Sequence, residues 1–190
     1  CKRQFYGATY LLDQIGDKLG IVDDLKASFP DRYKQLLSLA YFFVLEEGMS
    51  AYRLRKWALT HKHSYGRDIP SQQISDLMGS IDEASKMNFF RRQAKRRAEK
   101  EYLAFDTTSI SSYSELIKLA KYGKNKEGDH LPQVNLALLY GEVSRLPVYF
   151  RKLTGNTADV SLIRNLMLDI DFLDMKKLSF VMGRSFYSEK

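Results

Sequence analysis

Apolar residues recur at helical spacing through roughly the first hundred positions of the chain and at every second position after that. In the first part the spacing predicts a helix over residues 8–19, stopped by Gly20. A second helix is announced by Pro30 and Asp31, residues suited to a first turn, and stops at Gly48. Its middle, LLSLAYFFVL, is apolar all round and is therefore expected to be buried. A third helix, residues 50–61, carries Trp57 as a core residue. Ser71 can cap a short helix that ends at Gly79, and Ser80-Ile-Asp-Glu83 has the form of a capping box opening the next one. Two helices joined by a turn at Gly79 have helix-turn-helix form, although an ordinary helical hairpin carries the same caps.

Beyond residue 101 the alternation predicts strands in YLAFDTTSI, QVNLALLYG and RLPVYFRKL. A short turn at residues 141–144 should make the last two an antiparallel hairpin. GNTADV opens a helix, capped by Asn156 or Thr157, with an apolar stripe of Val160, Ile163, Met167 and Ile170. KLSFVM is one more strand, apolar enough to be expected in the centre of a sheet. A helix between two strands implies a right-handed crossover and a parallel pairing. The expected class is thus α+β, with a helical region over residues 1–100 and a mixed sheet with its helix over residues 101–190.

Charge adds a location. From Lys86 to Lys100 there are seven cations (Lys86, Arg91, Arg92, Lys95, Arg96, Arg97, Lys100) against Glu99, so this segment holds +6 of the formal +7. Met87, Phe90, Ala94 and Ala98 fall on one face of the same helix, while Arg91, Arg92, Lys95, Arg96 and Lys100 spread over the other. An apolar back and a basic front suit a helix seated on a domain and facing phosphates, and also suit a plain solvated face. The lone cysteine, Cys1, excludes an internal disulfide framework and fits a reducing cytoplasm. No apolar run approaches the roughly 18–20 residues that span a bilayer.

Candidate chemistry centres on Asp106, which interrupts an apolar strand; burying an unpaired carboxylate costs several kcal/mol, on the order of a lost ion pair. A single carboxylate holds Mg²⁺ poorly, so a metal role needs a second acidic group on a neighbouring strand. Thr107, Thr108 and Ser109 could instead satisfy it locally. His61 and His63, with no cysteine or carboxylate cluster nearby, read as surface histidines, and His130 in the polar loop KYGKNKEGDHLP reads as a structural or surface residue. Asp159 reads as a helix-start residue, and Asp169, Asp171 and Asp174 as a solvated acidic face.

Four runs (YLAFDTTSISSYSE, YGKNKEGDHLPQVNLALLYGE, LPVYFRKLTGNTADV and LSFVMGRSFYSEK) together resemble the catalytic domain of DDE-type insertion-sequence transposases of the insertion-sequence-four group. The resemblance covers about residues 101–190 and implies an RNase H-like fold. It also implies a catalytic centre in which three acidic residues hold two Mg²⁺ ions, or Mn²⁺, for cleavage and strand transfer of double-stranded DNA at the element's terminal repeats. Asp106 stands where the first acidic residue belongs. The second belongs in a motif of Asp, Arg, Gly, aromatic, Tyr, which here reads Gly183-Arg184-Ser185-Phe186-Tyr187, with Gly183 in place of the Asp. The third, a Glu in a tyrosine–arginine–glutamate–lysine signature, belongs beyond Lys190.

The resemblance therefore implies metal binding that is weak or lost and a rate loss of roughly a thousandfold or more. DNA contacts are expected from Arg91, Arg92, Lys95, Arg96, Lys100 and Arg184. An RNase H-like sheet cut short would expose an edge, which implies self-association or a homodimer. A non-enzymatic DNA-binding remnant, or a helical module whose basic face meets an acidic protein, remain as alternatives.

Overall fold

The computed structural model describes residues 3–97, 101–114, 116–123, 130–157, 165–169 and 179–182. Six α-helices precede four strands: α1 Gly7–Lys18, α2 Ile21–Ser28, α3 Tyr33–Leu45, α4 Leu54–Thr60 entered through a 3-10 turn at Ala51–Arg53, α5 Ser71–Gly79, α6 Glu83–Arg97, β1 Leu103–Ser111, β2 Gln133–Gly141, β3 Pro147–Thr154 and β4 Phe180–Met182. The class is α+β, as the change of period implies. The chain separates into two compact units between Phe89 and Phe90, inside α6, rather than at the change of period near residue 101.

In the helical unit, α3 and α4 supply the centre of the core, where Phe42, Leu54 and Ile69 are almost wholly buried. Each is worth about 1.5–3 kcal/mol in apolar area removed from water. Trp57 meets Phe42 edge-on, with ring centroids 5.9 Å apart. Ile74 and Leu77 bring α5 into the same cluster. Gly16 permits α1 to approach α2, since a side chain there would press on Val22 Cγ2 at 3.1 Å. Gly20, at φ 71°, takes the left-handed conformation that ends α1 and starts α2 at once.

Several local readings are corrected. The segment after Gly20 is itself helical, α2, with Asp23 and Asp24 in its first turn. The apolar middle of α3 is buried only on one side: Leu37, Leu39, Tyr41 and Phe42 face inward, but Phe43 and Val44 are exposed. Ser71 is not a cap but lies inside α5, whose cap position is Pro70 in extended backbone. The start of α6 is capped by Asp82, whose Oδ1 accepts the Ser85 N–H at 2.8 Å, while Ser80 turns back and donates to the Leu77 carbonyl at 2.7 Å. Asp82 wins because it stands one residue before Glu83, where its carboxylate reaches the third N–H of the helix.

In the second unit the sheet has the order β3-β2-β1-β4. β2 and β3 run antiparallel, as the hairpin implies, and β1 runs antiparallel to β2; β4 is parallel, as the crossover implies, but its neighbour is β1 and not β3. The apolar content of KLSFVM marks a strand without fixing its place: among the described residues β4 is outermost, and Val181 and Met182 are exposed. One sheet face carries Leu103, Phe105, Ala137, Leu139, Tyr149 and Leu153, all buried, and Leu166 is buried in the helical residues 165–169. Phe90 of α6 meets Tyr149 and Phe150 edge-on, each at 5.1 Å.

The far end of the sheet is tied at Gly155. Its carbonyl accepts the side-chain amides of Gln133 at 3.1 Å and Asn135 at 3.3 Å, and its N–H donates to the Leu119 carbonyl at 3.2 Å. The β2–β3 turn is held from outside by Glu101, which accepts the N–H groups of Val143 at 2.9 Å and Ser144 at 2.8 Å and the Ser144 hydroxyl at 2.6 Å.

Candidate nucleic-acid interface and the Asp106 strand

Alternation along β1 puts Leu103 and Phe105 into the core and Asp106 on the opposite face, paired in register with Leu138 of β2. Asp106 is exposed, not buried, and its Oδ1 accepts the N–H of Thr107 at 2.8 Å. The carboxylate thus reaches water and a backbone donor, which removes the desolvation problem that its place in an apolar run posed. The parallel pairing of β1 and β4 runs Leu103↔Phe180, Ala104↔Val181, Phe105↔Met182. Those last partners immediately precede Asp106 and Gly183 in the sequence.

Two carboxylates or more must converge to hold a divalent ion of the implied kind. Among the described residues no group of three His, Cys, Asp or Glu side chains does so. Asp106 is flanked on its own strand face by Ala104 and Thr108, and across by Leu138, none of them a carboxylate. No catalytic step is therefore assigned to a metal there.

On α6, Met87, Phe90 and Ala94 are buried as the apolar back, and Arg91, Arg92, Lys95 and Arg96 are exposed. Gln93 is buried with the apolar residues, which the charge pattern did not anticipate. α6 follows α5 after residues 80–82, a three-residue turn of helix-turn-helix length. Lys86 is drawn back to Glu83 at 2.6 Å, an i,i+3 pair at the helix start. Ala98, Lys100, Arg184, Gly183, Asp159, Asp171 and Asp174 lie outside the described residues.

Two of the sequence readings are overturned by long-range contacts. His63 is buried rather than on the surface, its Nδ1 2.9 Å from Ser38 Oγ. Ser38 Oγ donates its one proton to the Lys34 carbonyl at 2.7 Å and accepts the Tyr65 N–H at 3.0 Å, so His63 Nδ1 carries the proton in this contact. His61 lies flat on Trp57, with centroids 4.6 Å apart. Asp169 is not part of a solvated face: it accepts the Tyr149 hydroxyl at 2.8 Å and pairs with Arg151 at 2.7 Å, with its side chain 17% exposed. The cavity beside it, lined by Phe105, Leu139, Leu153 and Leu166, is about 10 Å³, room for a single water and not for a substrate. His130 is exposed, as expected.

Tyr41, buried beneath α1, has its phenol pKa pushed up by burial and by donating to Asp13 Oδ1 at 2.7 Å. Hydrogen bonds from the side chain and backbone of Ser85 hold the Asp82 carboxyl below the usual range. No helix among the described residues is long and apolar enough to cross a membrane. No protein-family model and no curated protein matches the chain.

Proposed function

We propose that the chain is a transposase-type DNA-binding protein whose second unit is the scaffold of an RNase H-like catalytic domain that cannot complete its metal centre. The observation that carries this reading is the sheet. Its order, β3-β2-β1-β4 with β4 alone parallel, sets Asp106 on the strand that pairs with β4, and the paired register ends one residue before Asp106 and Gly183. This is the arrangement in which acidic residues at both positions would share a metal. Glycine at 183 offers no ligand. What the chain retains is affinity for phosphates, through the exposed Arg91, Arg92, Lys95 and Arg96 of α6. Duplex DNA is bound without being cut, so the chain competes for DNA ends rather than joining them.

The test compares wild type with Gly183→Asp and with Gly183→Asp/Asp106→Asn. Wild type should leave supercoiled plasmid intact in Mg²⁺ or Mn²⁺. Gly183→Asp should gain Mn²⁺ binding, read as loss of the free-ion paramagnetic resonance signal, and the added Asp106→Asn should abolish the gain. Equal Mn²⁺ binding by all three proteins would remove the basis for the reading.

A further inference from the structure

Neither the basic helix nor the sheet accounts for the start of the chain. Phe5, Tyr6 and Tyr10 are 70%, 40% and 50% exposed. They are nevertheless held in place. Phe5 N–H donates to the Thr60 carbonyl at 2.8 Å, and Lys62 N–H donates to the Phe5 carbonyl at 2.9 Å, forming a short parallel bridge to the end of α4. The Phe5 ring meets His61 at 5.2 Å, and His61 in turn is stacked on Trp57. Tyr6 meets Tyr10 edge-on at 5.6 Å, and Lys62 Nζ stands 4.0 Å from the centre of the Tyr6 ring.

Aromatic rings fixed in solvent beside a cation are costly to keep for packing alone, because their faces contribute little to the core. They match one class of polymer: flat, apolar bases carried on an anionic backbone. Each base has a face that stacks on an aromatic ring whatever its sequence, and Lys62, over the Tyr6 ring, leaves the exposed Phe5 and Tyr10 rings for stacking while its charge attracts the adjoining phosphates.

We infer that Phe5, Tyr6 and Tyr10, with Lys62, form a stacking platform for unpaired nucleobases, as in a frayed or single-stranded DNA end. The inference rests on the DNA reading above only in taking DNA as the polymer, since the platform and α6 use different residues. It gives the chain two DNA grips, one for duplex phosphates and one for splayed bases.

The test measures fluorescence anisotropy of labelled (dT)20 and of a blunt 20-base-pair duplex with the full chain at about 50 mM salt, a low-screening condition. The variant Phe5→Leu/Tyr10→Leu keeps apolar bulk and helix propensity but removes two ring faces. It should lose on the order of tenfold in (dT)20 affinity per ring, with duplex affinity unchanged within about twofold. The variant Phe5→Trp/Tyr10→Phe should retain (dT)20 binding, which separates stacking from any loss of fold. Unchanged (dT)20 binding by the leucine variant would overturn the platform, as would no (dT)20 binding by wild type. A shift from dimer to monomer in the leucine variant, with (dT)20 affinity intact, would overturn it in favour of a self-association surface. Loss of duplex binding in an Arg91→Ala/Lys95→Ala variant bears on the function proposed above and leaves the platform standing.

Discussion

Replacing Ser38 by alanine removes a single oxygen and disturbs three partners. The Lys34 carbonyl loses a supplementary bond only, because helix α3 continues to satisfy it. The Tyr65 N–H and the His63 Nδ1–H lose their acceptor in a place where Ser38 is fully buried and His63 nearly so. Leaving a buried donor unsatisfied costs about 1–3 kcal/mol each, so Ser38→Ala should lose about 2–6 kcal/mol. That is a large part of the 5–15 kcal/mol or so that holds an ordinary domain folded. Urea unfolding followed by the fluorescence of Trp57 reads this unit directly, since Trp57 is the chain's one tryptophan and its ring lies 5.7 Å from His63. The midpoint should fall with the slope unchanged. His63→Phe should restore part of the loss when combined with Ser38→Ala, because it removes one orphaned donor along with its acceptor. A loss below about 0.5 kcal/mol, or strictly additive effects in the double variant, would refute the reasoning that this buried serine is the hub joining α3 to the 61–65 strap.

Three further outcomes follow from other sites. Gly155→Ala would drive a methyl group into the carbonyls of Gln133 and Lys121, whereas nothing lies within 4 Å of the same change at Gly79; thermal unfolding should show a loss of about 3 kcal/mol for the first and little for the second. The Asp82 carboxyl is held ionised to lower pH in the folded chain than in the unfolded one. Its cap is therefore fully present above the ordinary carboxylate range and is lost as pH falls through the lowered value. The protection of the Ser85 amide against hydrogen exchange, relative to an unstructured amide at the same pH, should fall on acidification, and Asp82→Ala should lack that protection at neutral pH. Tyr41 has a raised pKa, so its contribution is complete below the usual phenol range and is lost only at more alkaline pH. An ultraviolet titration should show a late-ionising component that Asp13→Asn moves to lower pH.

What was legible from the chain was what local pattern controls. Alternation placed the strands within a few residues of β1, β2 and β3. The crossover rule supplied a parallel last strand but not its neighbour, which is β1 and not β3. The illegible parts depend on partners distant in sequence. Nothing beside His63 announces Ser38, twenty-five positions earlier, and so a buried histidine read as a surface one. Asp169 looked solvated because its neighbours are acidic, while its partners Arg151 and Tyr149 come from β3. The apolar belt of α3 could not show that Phe43 and Val44 stay exposed, since hydropathy measures a preference for burial and not the presence of a cover. The capping box read at Ser80 failed because α6 starts only at Glu83, which leaves the cap to Asp82.

On the proposed reading, α6 presents a phosphate-binding face to duplex DNA. Its most direct test is the affinity for a blunt duplex measured between 50 and 200 mM salt. Release of counterions by about six contacts predicts a fall of roughly a thousandfold over that range, with the slope of log affinity against log salt reduced by about one for each of Arg91, Arg92, Lys95 and Arg96 changed to alanine. An affinity that is flat with salt, or a slope unmoved by all four changes, would contradict it.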